Sequence, residues 1–340
     1  MAMFRISYHE LFDTLSRALL KLGFEHERAI RCARLFADTD RDGVHTPGLN
    51  RFPRFVTMIQ DGHIDIHAQP NLLMSSAPLE RWDGKIGPGN LNAYECMERA
   101  IALSQQFGMG CVALADTNHW MRGGSYGWQA ADAGVIGICW TNTLPNLPPW
   151  GASDPRVGNN PLVIAVPRAK GHVVLDMAMS QFSYGTLASY RMRGEMLSVD
   201  GGFDIDGKLT RDPGAIERSN RPLPIGFWKG SGLALMLDLV AAILADGKAT
   251  HQIAALPEHE NGQSQVFLAF NPSVLGNATG ADSSRPSRIA DQVIEYFQLP
   301  PNSAGERVRY PGEQVLKTRK ENLANGVPVD PSIWRQVQAM

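Results

Sequence analysis

Between residues 118 and 161 the chain carries one histidine, two arginines, four of its seven tryptophans and seven glycines, in NHWMRGGSYGWQAADAGVIGICWTNTLPNLPPWGASDPRVGNNP. Flat aromatic walls, cationic donors and a backbone free to approach a ligand give this block the composition of a pocket. A core segment would show an apolar period, and a linker would lack the tryptophans. His119 lies inside the block. With His45 it is a candidate for acid–base work, because imidazole titrates near neutrality. Arg51 and Arg54 stand three residues apart at the start of an expected helix and can share one face, where guanidinium forks hold carboxylates. Arg54 reads better as a solvated helix residue. Arg51, after a glycine turn and Asn50, reads better as a ligand group.

A second constellation is GFWKGSG at 226–232. Lys229, Gly230, Ser231 and Gly232 lead into a long helix, so free N–H groups, the helix dipole and an ammonium converge as they would on a dinucleotide phosphate. Lys229 precedes the close glycines, so this is not a P-loop, and a glycine-rich helix start with a solvated lysine fits the same letters. The G-x-G-x-x-A at Gly108, Gly110 and Ala113 precedes a strand and reads as a helix-to-strand turn, and 84–90 also reads as a turn. HIDIH at 63–67 alternates polar and apolar residues; it reads as a strand with a solvated polar edge rather than a metal site. No GxSxG or SxxK supports a serine nucleophile.

Lys and Arg number 32 against 34 Asp and Glu, for a net charge of −2. No field favours nucleic acid, and no basic tract with interleaved aromatics occurs. Cys32, Cys96, Cys111 and Cys139 lack zinc spacing and read as buried thiols of a reducing compartment. No secretory leader is recognisable and no stretch reads as long and apolar enough to cross a bilayer, so a soluble cytoplasmic protein is expected.

The element pattern is helical at both ends. Ser7 and Glu10 form a capping box before a helix closed by Gly23; further helices are expected over 27–38 and up to Gly62, with Pro53 in the first turn. Strands are expected at 78–82, 111–115, 135–141, 162–166, 173–177 and 265–270. Helices are expected at 91–107 and 125–133, with an amphipathic one at 232–245. Helices at 285–297, 313–323 and 330–337 close the chain, the last capped by Asp330. The segment 179–190 reads as a crossing connection. The arrangement predicted is α/β, with residues 1–75 and 280–340 forming one helical domain beside an α/β body over 76–279.

These residues resemble the malate/L-lactate dehydrogenase superfamily that lacks the usual Rossmann domain. The likeness spans nearly the whole chain: GLNRFPRF (48–55), IGPGNLNA (86–93), NHWMRGGSYGWQAA (118–131), GICWTN (137–142), PPWGA (148–152), VDGGFD (199–204), GFWKGSG (226–232) and PGE (311–313). It implies a mixed central sheet with the terminal helices packed together, and a homodimer. It also implies reversible hydride transfer from NADH to the ketone of a small acidic sugar derivative. By the same resemblance NAD would be cradled by His172, Val173, Val174, Leu175, Asp176, Met177 and Ala178, by Trp228 and Lys229, and by Gly312, Glu313 and Gln314. Asp176 at a strand end would bind ribose hydroxyls and disfavour the 2′-phosphate of NADPH. Arg51 would grip the substrate carboxylate, with Thr46, Asn50, Asn118 and His119 lining the substrate.

The chain departs from the family at one place. Where family members carry Ser-His-Gly, with the histidine as proton donor, this chain has Thr46, Pro47 and Gly48. Proline has no side-chain proton to give. His45, His119 or an ordered water would then serve, or the chain is a relative that binds cofactor without turnover. A sister dehydrogenase acting on another 2-hydroxy acid or an imino acid differs only in substrate.

Overall fold

Ser7 starts the first helix by accepting the Glu10 amide at 3.0 Å, and Leu11, Leu15 and Leu19 then recur on one buried face. The computed structural model describes residues 4–253, 255, 260–274, 285–300 and 307–340. Helices α1 (Tyr8–Lys21), α2 (His26–Arg41) and α3 (Phe52–Gln60) pack around Phe36, Phe52 and Phe55. A 3-10 turn, Leu49–Arg51, feeds α3. Strand β1 (Arg5–Ile6) pairs with β11 (Val327–Pro328) near the other end of the chain. The last helix, α12 (Pro331–Gln338), starts on Asp330 and inserts Trp334 and Val337 into the same core.

The body is a mixed seven-stranded sheet in the order β2-β3-β4-β10-β5-β6-β7. Its strands are β2 (Asn71–Ser76), β3 (Leu79–Asp83), β4 (Met109–Thr117), β5 (Ile136–Thr141), β6 (Leu162–Val166), β7 (Val173–Met177) and β10 (Gln263–Phe270). Only β3 and β4 run parallel; the other neighbours are antiparallel. Helix α4 (Gly89–Phe107) covers β4 and β10, and α5 (Gly124–Asp132) covers β5 to β7. Gly108, in the left-handed region at φ 83°, ends α4 and turns the chain directly into β4. On the opposite face lies α8 (Trp228–Ala245), reached through α6 (Tyr184–Arg193), the small pair β8 (Gly202–Phe203) and β9 (Leu209–Thr210), and α7 (Pro213–Ser219). After α8 come the short α9 (Thr250–Ile253), then α10 (Arg285–Phe297) and α11 (Glu313–Asn325). Helix α10 ties to the β6–β7 turn through Arg168–Asp291 and Lys170–Glu295.

Four sequence expectations change. HIDIH keeps its alternation, with Ile64 and Ile66 buried, but 63–67 form bends and turns and pair with no strand among the described residues. Residues 179–190 contain the start of α6, capped by Ser183. Strand β2, which the sequence did not signal, is exposed along its length at the sheet edge. Helix α8 is not amphipathic. Its buried face is the narrow row Gly230, Ala234, Leu237, Ala241 and Ala245, while Leu235, Met236, Leu239 and Ile243 face outward. With 18 residues and a mean hydropathy of 1.5, it is long and apolar enough to cross a membrane. It nevertheless lies along β10, β4 and β5, pinned by Trp140 Nε1 donating to the Leu237 carbonyl at 3.0 Å and Asn160 Nδ2 to that of Ala234 at 2.8 Å.

One buried carboxylate joins the two halves. Asp42, at the end of α2, accepts from Arg41 (2.9 Å), Arg122 (2.7 Å) and both donors of the Arg319 fork (2.7 Å each). Burial alone would raise its pKa, but the Arg319 hydrogen bonds and the charges of Arg122, Arg41 and Arg319 win and hold it at about 2. Its folded-state value lies below that of the unfolded chain, so the stabilisation is complete above pH about 4 and is lost as pH falls toward 2. The contribution is about 2 kcal/mol at neutral pH. Asp42→Asn, which strands three cations around a neutral amide, is expected to cost about 3 kcal/mol in urea unfolding at pH 7 and to flatten the loss of stability between pH 4 and 2.

Candidate active site

The loop after α2 sets one wall. Asp40, buried on the last turn of α2, receives His45 Nδ1 on one oxygen at 2.9 Å and the Leu49 amide on the other. Burial pushes the Asp40 carboxyl up, against the pull of the His45 ring and the Leu49 amide. Because Nδ1 is tied to Asp40, Nε2 is the free nitrogen of His45, the arrangement by which a carboxylate orients a working histidine. Gly48 is required here: a Cβ on it would lie 2.1 Å from Asp40 Oδ2. Thr46 packs against Gly185 at the start of α6, and Pro47 occupies the turn between. Asn50 is exposed at the surface.

Arg51 and Arg54 do share a face, as their spacing predicts, and they share a partner. Glu260 gives one carboxylate oxygen to Arg51 and the other to Arg54, the latter at 3.2 Å. Both arginines act on His119. Burial first, then the charges of Arg51 and Arg54, hold its pKa well below the usual histidine value. The Met121 amide donates to His119 Nδ1 at 3.0 Å, which leaves the hydrogen of the neutral ring on Nε2. Met121 itself is in the left-handed region at φ 64°, a strained conformation that aims this amide at the ring. His119 is therefore a neutral hydrogen-bond donor, set among cations. Asn118 has a different employment: its amide donates to the carbonyls of Ile86 and Gly87 at 2.8 and 2.9 Å and splints the turn before α4. Its Oδ1 is a buried acceptor without a partner among the described residues.

The residues expected around a dinucleotide converge on β7. The Pro311 carbonyl accepts the Val174 amide at 3.0 Å, so Gly312, at φ 94°, lies against the outer edge of this last strand of the sheet. A Cβ on Gly312 would meet the Val174 nitrogen at 3.1 Å. Since Val174 directs its N–H outward, so does Asp176 two residues on, leaving a peptide edge open for a ligand amide. Beyond β7 the chain pairs with 223–225, through Gln181 to Leu223 and Ile225 to Met179, and this places the start of α8 at the strand's end. There Lys229 is exposed beside Trp150, Phe227 and Trp228, the last 66% accessible, with the Trp150 and Phe227 rings 5.1 Å apart. Exposed flat rings, an ammonium and an uncapped helix N-terminus suit a heterocycle joined to phosphates. Asp176 is reachable by solvent yet closely surrounded. Its Oδ2 accepts the Gly124 amide at 2.8 Å, and burial raises its pKa while Arg122 and that amide oppose the rise. His172 serves as a pin: it accepts from the Arg168 amide and bonds Asp132 at 3.0 Å. Glu313 and Gln314 turn their side chains to Arg307 and to Thr318.

Residues 6–338 match the family of malate/L-lactate dehydrogenases. The chain belongs to the malate/L-lactate dehydrogenase family. It is 43% identical over 336 residues to a 2,3-diketo-L-gulonate reductase of Citrobacter koseri, covering 99% of this chain and 100% of that one. It is 44% identical over the same length and coverage to the reductase of that name from Shigella boydii. Among solved structures, a malate dehydrogenase of Entamoeba histolytica shares the fold at a TM-score of 0.92 and 21% identity, covering 99% and 97% of the two chains. A sulfolactate dehydrogenase of Methanocaldococcus jannaschii matches at a TM-score of 0.87 and 26% identity, covering 98% and 95%. Like these dehydrogenases and reductases, this member of the malate/L-lactate dehydrogenase family is an oxidoreductase.

Asp40, Asp42, Arg122 and Glu260 went unremarked in the sequence. Asp40 is five residues from His45 and could have been suspected as its partner; Glu260 lies 209 residues from Arg51, and no local pattern announces it. His119 offers a direct check. Nitrogen-15 NMR is expected to find its ring neutral at pH 6 with the hydrogen on Nε2. Arg51→Gln should bring its pKa up only part of the way, because burial is the larger cause.

Proposed function

We propose that this chain is an NADH-dependent reductase of 2,3-diketo-L-gulonate or a closely similar keto sugar acid. Near-full-length identity to two reductases of that name carries the reading, and the convergence of β7, the α8 start and Gly312 supports a nicotinamide dinucleotide. When bound, the reduced nicotinamide supplies a hydride to the substrate ketone carbon. The open edge of β7 would receive its carboxamide, and Lys229 with the first α8 amides its phosphates. Asp176, with one oxygen already on Gly124, would turn the other to ribose hydroxyls and disfavour a 2′-phosphate, which supports NADH over NADPH.

The residues of the chain have three tasks. Arg51, seconded by Arg54, takes the substrate carboxylate in a two-pronged grip. His119 donates its Nε2 hydrogen to the ketone oxygen and, being neutral, polarises it without giving up a proton. The proton that completes the alcohol comes from Nε2 of His45 in its imidazolium form, which becomes the neutral ring with its remaining hydrogen on Nδ1, facing Asp40. His45 thus takes the task that Pro47 cannot perform. A catalytically silent cofactor binder remains the competing reading, and Pro47 is the observation behind it.

Loss of NADH absorbance with 2,3-diketo-L-gulonate decides between them. The native chain is expected to turn over, and His45→Gln to lower kcat by about two to four powers of ten. Pro47→His is expected to leave native turnover largely unchanged. A native chain that binds NADH but is inactive until Pro47→His restores it would establish the silent binder.

The outer face of α8 supports a homodimer. Leu235, Met236, Leu239 and Ile243 form an exposed apolar row that a second copy would cover. The four unpaired buried cysteines fit a cytoplasmic location. Sedimentation should give a dimer, and Met236→Lys should shift it toward monomer.

A further inference from the structure

We propose that Glu260 is an internal occupant of the carboxylate clamp, and that a substrate carboxylate enters only by taking its place between Arg51 and Arg54. The inference rests on the reading of Arg51 as the substrate clamp. Glu260 already does what a substrate carboxylate would do there, with one oxygen on each guanidinium. The pair is sheltered, with Arg51 22% and Glu260 16% exposed, so it is not one of the surface ion pairs that contribute almost nothing. Arg54 remains half open to solvent at 49%, which gives an incoming anion a side from which to start the exchange.

The backbone is built to hold Glu260 in this position. Its φ is 48°, a region that a glutamate adopts only at a cost. The next two residues anchor the chain: Asn261 Nδ2 donates to the His63 carbonyl at 3.1 Å, and the Gly262 amide to that of Thr117 at 3.0 Å. Strain at a residue with firm neighbours points to a task for its side chain. Exchange is also electrostatically economical, because one carboxylate replaces another and the two guanidinium groups are paired before and after it. Meanwhile the clamp's net charge facing His119 stays constant, so the ring remains neutral through the exchange.

Occupancy lowers apparent affinity to the fraction of time the clamp stands empty. With Glu260 in place about nine-tenths of the time, a bare monocarboxylate binds about tenfold less tightly than the clamp alone would allow. Acids that add hydroxyl contacts elsewhere overcome this handicap; small 2-oxo acids do not. Glu260 is thereby a specificity-determining residue.

The test measures oxamate binding to the full-length protein with NADH present, by calorimetry, together with KM and kcat for the keto acid. Glu260→Gln is expected to tighten oxamate about tenfold and lower KM by a similar factor, with kcat within about twofold. Glu260→Asp keeps the charge but shortens the reach, and is expected to gain part of that affinity. A gain in the glutamine variant without one in the aspartate variant would reduce the effect to net charge and overturn displacement. So would unchanged or weaker binding in both, when Arg51→Gln has lost it. If Arg51→Gln binds oxamate as the native chain does, the clamp itself is misplaced and the proposal falls with it. Should the glutamine variant fail to fold, the absence of any gain in the aspartate variant is sufficient to overturn it.

Discussion

The Asp42 carboxylate is the constraint on which the site depends. Three guanidinium groups from separate parts of the chain meet on it, and each carries something further. Arg41 fixes the end of α2, from which Asp40 and the His45 loop hang. Arg122 belongs to the turn that delivers the Gly124 amide to Asp176. Arg319 lies over Trp128, 4.5 Å from its ring centre, and Trp128 in turn backs both His172 and Gly312. One buried anion thus sets the distance between the end of α2, with the His45 loop, and strand β7. A buried charge without partners would be ruinous, but with three donors it specifies a single arrangement of the segments that meet there.

The two histidines differ in environment. His45 leans on a carboxylate that orients it; His119 is enclosed beside two cations and stays neutral. In the proposed mechanism the first gives the proton and the second only a hydrogen bond, a separation of roles set by surroundings. The proposed shift of the donor from position 47 to His45 is compatible with 44–48 being an irregular turn, not a helix in which a two-residue shift would rotate the side chain to the far face.

Capping signals in the sequence were reliable, periodicity was less so, and long-range partners were silent. Ser7, Gly108 and Asp330 announce their helix ends because capping is a matter of a few neighbouring residues. The 173–177 strand and the 285–297 helix have the bounds their patterns predict. HIDIH misled because alternation records burial on one side, and a strand also needs a neighbour to bond. Helix α8 misled because its small residues mark a close approach to the sheet, while its large ones face outward. His119, Arg51 and Lys229 drew attention through their local surroundings. Glu260 and Asp42 did not, since their importance lies wholly in partners far along the chain.

The position of β10 has a consequence for how the molecule comes into being. This strand fills the middle of the sheet, between β4 and β5, yet Gln263 follows Thr141 by 122 residues. Until it arrives, β4 and β5 face a gap with unpaired amides on either side, and α4 and α8 have no central strand to rest on. On the ribosome, then, the chain cannot complete its sheet as it emerges and must keep two open edges from pairing elsewhere until the last third is made. Closure through such distant residues makes folding slow and leaves the nascent protein a natural client for chaperones.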